Sequence, residues 1–163
     1  MNNDQFHTVR GYQLMEQSKR LLTPAMEDYL EMIYRYSLQE GYIRINKLAE
    51  QLNVKASSAS RMAQRLGELS MLKYEKYGII TLTEKGKQIG KFLLTRHTII
   101  ENFLRTIGSG DNLYETELIE HNISLETLRN INLLNRFLEE NPEIMDKFNE
   151  YRAIHSGNVD SFP

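Results

Sequence analysis

The chain has 163 residues, 40% of them apolar and 26% charged, with a net charge of −2. That is enough for one medium domain or two small ones sharing a core. There is no cysteine, which rules out disulfides, thiolate zinc sites and cysteine nucleophiles, so any metal must be held by nitrogen and oxygen. No apolar run approaches the length of about 18 residues a transmembrane helix needs. The opening "MNNDQFHTVRGYQLMEQSKR" has no apolar signal core, and a cytoplasmic location is expected.

Charge is unevenly distributed. Residues 41–76 carry seven basic side chains (Arg44, Lys47, Lys55, Arg61, Arg65, Lys73, Lys76) against three acids. Residues 111–150 carry three basic residues against ten acidic ones. A basic first half joined to an acidic second half suggests a polyanion-binding module attached to something of another kind.

Residues 1–22 are polar and weakly patterned, and are expected to form a flexible extension. "LTPAMEDYLEMIYRYS" then begins a helix, with Thr23 as N-cap and Pro24 at its first position. Met26, Tyr29, Leu30 and Ile33 form its apolar stripe, and "QEGY" (39–42) ends it. Asp28 and Glu31 share a face opposite that stripe.

In "IRINKLAEQLNVKASSASRMAQRLGELSML" two short helical patterns flank "LNV". Leu48, Ala49 and Leu52 are apolar in the first, and Val54, Ala59, Met62, Ala63 and Leu66 in the second. Ser57 or Ser58 is expected to cap the second helix. Ser57, Ser58, Ser60, Arg61, Gln64 and Arg65 lie on its outer faces, a helix-turn-helix pattern whose arginines suit phosphates or guanine edges. "LKYEKYGIITLTEKG" reads as a two-stranded hairpin turning at Tyr77-Gly78, the wing of a winged helix. Arg44, Lys47, Lys55 and Lys76 complete the basic surface. No aromatic stacking platform for single strands is evident, so duplex DNA is the expected partner.

A long helix is expected from Lys85 to about Ile107, with Ile89, Phe92, Leu93, Ile100, Phe103, Leu104 and Ile107 on one stripe and His97 at its edge. "GSGDN" (108–112) stops it. Helices over about 113–121, 125–140 and 143–154 follow, and residues 156–163 are expected to be a flexible tail. At about 100° per residue, Glu117, Glu120 and His121 fall within an arc of roughly 100°. On the residues alone, this is a hydrated acidic face or half of a metal site. No HExxH motif, GxSxG elbow or phosphate-binding glycine loop is present. A di-iron Glu-x-x-His pair fails because Leu118 stands three residues before His121. The chain therefore reads as a non-enzyme.

The segments "TPAMEDYLEMIY", "GYIRINKLAEQLNVKASSASRMAQRL", "LKYEKYGIITLTEKGKQIG", "RHTIIENFLRTIG" and "ETELIEHNIS" occur in an order and spacing that resemble the metal-dependent repressors of the diphtheria-toxin-repressor family. The likeness is greatest to the short, manganese-responsive branch, and it covers about residues 22–140. The resemblance implies a mainly α fold. A winged helix-turn-helix with a small β-hairpin wing would occupy 23–84, and an all-helical dimerisation and metal-binding domain 85–155, with no SH3-like third domain. It also implies a metal-ligand set of Asp28, Glu31, His97, Glu117, Glu120 and His121. Iron-responsive members have methionine and cysteine where Asp28 and Glu117 stand. The all-carboxylate-and-imidazole set is harder and points to Mn2+ as the cofactor, two ions per subunit, bridged by Glu31 and Glu120; Fe2+ is the alternative.

The resemblance further implies a homodimer that represses genes of metal-ion homeostasis from a palindromic operator. Metal bound between the two domains would fix the dimer geometry. A metal-independent winged-helix regulator is the competing expectation. The chain departs from the family in Asn122 after His121, Ala56 in place of a common proline, and Tyr77-Gly78-Ile79 in place of an Arg-Gly wing tip.

Overall fold

The structure is a computed structural model that describes residues 21–110 and 112–155. The expected N-terminal extension up to residue 20 and the tail 156–163 lie outside the described residues, and so does residue 111. The chain divides into two compact units, residues 1–96 and 97–163.

In the first unit, α1 (Pro24–Glu40) starts where the sequence places it. The Thr23 hydroxyl accepts the Met26 N–H at 3.4 Å, and Pro24 takes the first helical position. Pro24 has no N–H to leave unsatisfied there. The helix ends at Gly41 with φ +76°, a left-handed conformation that side chains with a Cβ avoid. A two-residue strand, β1 (Ile43–Arg44), leads into α2 (Ile45–Gln51) and, after a turn, α3 (Ala56–Glu68). Strand β2 (Leu72–Tyr74), a 3-10 turn at Lys76–Gly78 and strand β3 (Ile79–Leu82) form the hairpin.

The expected two-stranded wing is thus extended to a three-stranded antiparallel sheet of order β1-β3-β2, with Ile43 opposite Ile80 and Leu72 opposite Leu82. A two-residue strand is too short to show period-2 alternation, which is why the sequence pattern missed it. The expected serine cap of α3 is also corrected. Lys55 is the N-cap residue, and its carbonyl accepts the N–H groups of Ser58 and Ala59. Ser57 and Ser58 lie inside the first turn, and Val54 sits in the preceding turn, half exposed.

The core of this unit joins Met26, Leu30 and Ile33 of α1 to Leu48, Ala59, Ala63, Leu66, Ile80, Ile89 and Leu93. Alanines on the buried face of α3 allow its backbone to approach the core closely, leaving the longer polar side chains outward. The last two of those core residues belong to α4 (Glu84–Ile107), which continues into the second unit. Its first turns lie close against the rest of the unit. A Cβ on Gly86 would stand 1.8 Å from the Met71 carbonyl oxygen, so no larger residue fits there without backbone movement.

In the second unit, α4 ends at Gly108 with φ +83°. Helices α5 (Asn112–Glu120), α6 (Leu125–Glu140) and α7 (Pro142–His155) follow. Asn112, expected in the stop segment, begins α5 instead. Ile100, Leu104 and Leu128 are buried, and the Asn135 amide donates to the Ile99 carbonyl at 2.9 Å, tying α6 to α4. The Arg152 guanidinium of α7 lies where a Cβ on Gly108 would be. It brings positive charge to the carbonyl end of α4, which the helix dipole favours. Ser124 caps α6 by accepting the Thr127 N–H at 3.1 Å. Ile107, expected on the buried stripe, is exposed, as are Leu133 and Phe137 of α6. Among the described residues, no helix is long and apolar enough to cross a membrane.

Candidate metal centre and nucleic-acid interface

Helix α5 is inside out relative to an ordinary amphipathic helix. Its buried residues are Thr116 and Glu120, whereas Leu118 and Ile119 face solvent. Glu120 is only 1% exposed. Burying a carboxyl group while leaving leucine and isoleucine outside is unfavourable unless the acid has partners that use its charge. Both of its oxygens face imidazoles. His97 Nδ1, on the second half of α4, lies 3.1 Å from Glu120 Oε2, and His121 Nε2 lies 3.7 Å from Glu120 Oε1. His97 is itself buried, deeper than the stripe edge expected of it.

Glu117 stands four residues before His121, which directly follows the last residue of α5, and is exposed. One ligand atom each from Glu117, Glu120 and His121 lies within 4.8 Å of the other two. Ligands of one divalent ion held at roughly 2.0–2.6 Å stand at most about 4–5 Å apart, so the spacing of these three is of the order one ion spans. The donor set contains only carboxylate oxygen and imidazole nitrogen, which suits a borderline-to-hard divalent cation. The residues present therefore fit a metal.

In the first unit, Asp28 and Glu31 lie one turn apart on α1. Asp28 is partly exposed. Glu31 is buried, not on the open face expected opposite the apolar stripe. Its Oε1 accepts two hydrogen bonds from the Arg35 guanidinium, from Nε at 3.0 Å and Nη2 at 2.6 Å.

Sequence reasoning missed a second buried acid on this helix. Glu27 is buried and paired with Arg96, whose Nη2 donates to Glu27 Oε2 at 2.9 Å. Arg96 is 2% exposed. The signal was present in α4, where Arg96 falls in the helical series Ile89, Leu93, Arg96, Ile100 of its buried stripe. An arginine in that position requires a buried acid.

Helix α3 presents a polar outer face. Ser57, Arg61, Gln64 and Arg65 are exposed, with Ser58 and Ser60 half-buried beside them. The Ser60 hydroxyl lies 3.3 Å from the Tyr74 hydroxyl, linking α3 to the hairpin. Arg44, Lys55 and Lys76 are exposed. Lys47 bonds Glu50 at 3.0 Å, and this hydrogen bond holds its ammonium above the ordinary lysine range. At the hairpin tip Tyr77 is 90% exposed with φ +63°, and Gly78 follows at φ +72°. A helix presenting two arginines and small hydroxyls, beside a basic hairpin, offers both phosphate contacts and groups able to reach base edges.

The first unit's trihelical core, three-stranded sheet and exposed basic helix define a winged helix-turn-helix DNA-binding regulator. Residues 21–80 match the N-terminal DNA-binding domain of the iron-dependent repressors, and residues 83–149 match that family's metal-binding and dimerisation domain. The chain belongs to this family. It is 41% identical over 136 residues to the HTH-type transcriptional regulator MntR of Lysinibacillus sphaericus (strain C3-41), covering 82% of this chain and 98% of that protein.

Two solved structures are also similar to this chain. Superposition on T. acidophilum IdeR gives a TM-score of 0.60 at 31% identity and covers 68% of this chain and 53% of that one. For the manganese regulator SloR the values are 0.61 and 29%, covering 72% and 55%. The match thus spans about half the length of these two longer chains.

Proposed function

We propose that the protein is a cytoplasmic, manganese-activated repressor of genes for metal-ion homeostasis such as metal uptake. It would act as a homodimer on a palindromic operator. Asp28, Glu31, His97, Glu117, Glu120 and His121 are its metal ligands, with two ions per subunit. The observation that carries this reading is the buried Glu120 carboxyl held between His97 and His121 on a helix that turns its leucine and isoleucine outward. A soluble helix keeps such an arrangement for a ligand. The sulfur-free donor set supports Mn2+ over softer ions, and SloR, to which the chain is similar, is a manganese regulator. Fe2+ is the closest rival, because iron-dependent repressors form the matched family.

The mechanism follows from where the ligands lie in the chain. Asp28 and Glu31 belong to the DNA-binding unit, and His97, Glu117, Glu120 and His121 to the other. When bound, a divalent ion supplies the positive charge that four carboxylates need to converge. Ligands donated from both units then restrict their relative freedom, and the dimer population shifts to the one whose two α3 helices fit successive half-sites. Exposed Leu133 and Phe137 in the second unit supply apolar surface for self-association.

Arg61 and Arg65, flanked by Arg44, Lys47, Lys55, Lys76, Ser57, Ser58, Ser60 and Gln64, would read and grip the duplex. Arg61→Ala or Arg65→Ala is expected to weaken binding to a duplex selected by the protein from a random pool by roughly ten- to a hundredfold. If the lost contact is to a phosphate, the slope of log affinity against log salt falls by about one. Fluorescence anisotropy over a salt series reads both quantities, and unchanged affinity in both variants would remove α3 as the reading helix.

A further inference from the structure

Resting on the reading of Glu31 as a metal ligand, we propose that Arg35 is a built-in competitor cation for that ligand. It sets the metal concentration at which the position served by Glu31 fills. Arg35 lies one turn after Glu31 on α1 and directs two guanidinium N–H groups at the same oxygen, Oε1. Glu31 is buried, so a positive partner there does more than a surface ion pair would. The Glu-then-Arg order at this spacing is the favourable one on a helix, and the contact needs nothing from outside α1 to form.

A guanidinium does not lose its proton, so it cannot become neutral to admit an ion. It can only swing away, and the Arg35 side chain is 39% exposed, which leaves it a route toward solvent. Metal binding through Glu31 Oε1 must therefore break two charge-assisted hydrogen bonds or place a divalent ion beside a fixed positive charge. Either event weakens the binding step that uses Glu31. The pair also satisfies the buried acid when metal is scarce, so α1 stays folded in the metal-free protein.

The test is a Mn2+ titration of the full chain, with free aquated Mn2+ followed by electron paramagnetic resonance. In Arg35→Met, which keeps helix propensity and an unbranched stem but removes the charge, the weaker binding step is expected to tighten roughly tenfold, the factor one charged hydrogen bond represents. Arg35→Lys, with a shorter reach and a single point of contact, should fall between the two. The gain must vanish when Glu31→Gln is added. If Arg35→Met does not fold, the order of Arg35→Lys against the unaltered chain decides. Equal or weaker Mn2+ binding in folded Arg35 variants overturns the inference alone. No Mn2+ binding by the unaltered chain overturns both the inference and the function on which it rests.

Discussion

Arg96→Met is expected to destabilise the first unit by about 3–5 kcal/mol, a large fraction of what holds a domain of this size. Arg96 and Glu27 are both almost fully buried and lie 2.9 Å apart, joining α4 to α1. Removing the guanidinium takes from the buried Glu27 carboxylate the opposite charge it is paired with. That cost is much greater than the net worth of the intact pair. Methionine fills most of the vacated volume, which keeps the loss electrostatic and avoids opening a cavity. In Glu27→Met/Arg96→Met no charge is stranded, so the double variant should be less destabilised than the sum of the two single changes. Urea denaturation of the three variants measures this. Strict additivity would mean that the two residues do not act as a pair.

Glu120→Gln is expected to lower Mn2+ affinity at least a hundredfold while leaving the metal-free protein as stable as before, or more so. The substitution keeps the shape of the side chain and removes only its charge. A neutral amide is less costly to bury than a carboxylate, and it retains an acceptor for the His97 imidazole. Metal affinity and apo stability therefore move independently, which a purely structural residue would not allow. Calorimetric Mn2+ titration reads the first, and melting curves read the second. Added Mn2+ should raise the melting temperature of the unaltered chain and not of the variant, because a ligand stabilises only the state it binds. A Glu120→Gln protein that binds Mn2+ normally would take Glu120 out of the ligand set.

Local punctuation carries a large part of the fold. Thr23-Pro24 and Gly41 bound α1, and Gly108 ends α4, because each act is performed within one helical turn by a residue type that does little else there. The features that escaped are those that depend on distant partners. Strand β1 exists only because β3 lies beside it, and two residues show no period. The Lys55 cap was hidden because backbone geometry, with no side-chain hydrogen bond, starts α3.

The candidate metal residues were separable from an ordinary acidic face only through family resemblance. The spacing of Glu117, Glu120 and His121 fits both a hydrated helix and a ligand set. Burial distinguishes the two, and burial is a tertiary property. Glu31 shows the same limit, since it was placed on the face opposite the apolar stripe and is enclosed, and Glu27, which the pattern did not single out, is enclosed as well. Their counter-charges differ in legibility. Arg35 is one turn from Glu31 and could be anticipated from sequence, whereas Arg96 is 69 residues from Glu27 and could be paired with it only in three dimensions.

Metal-dependent DNA recognition is most directly measured as the affinity of the protein for one selected duplex, with and without Mn2+, at constant ionic strength. Affinity should rise at least tenfold with Mn2+, and the duplex should tighten Mn2+ binding by the same factor, as linkage requires. Equal affinity in the two conditions would contradict activation by manganese.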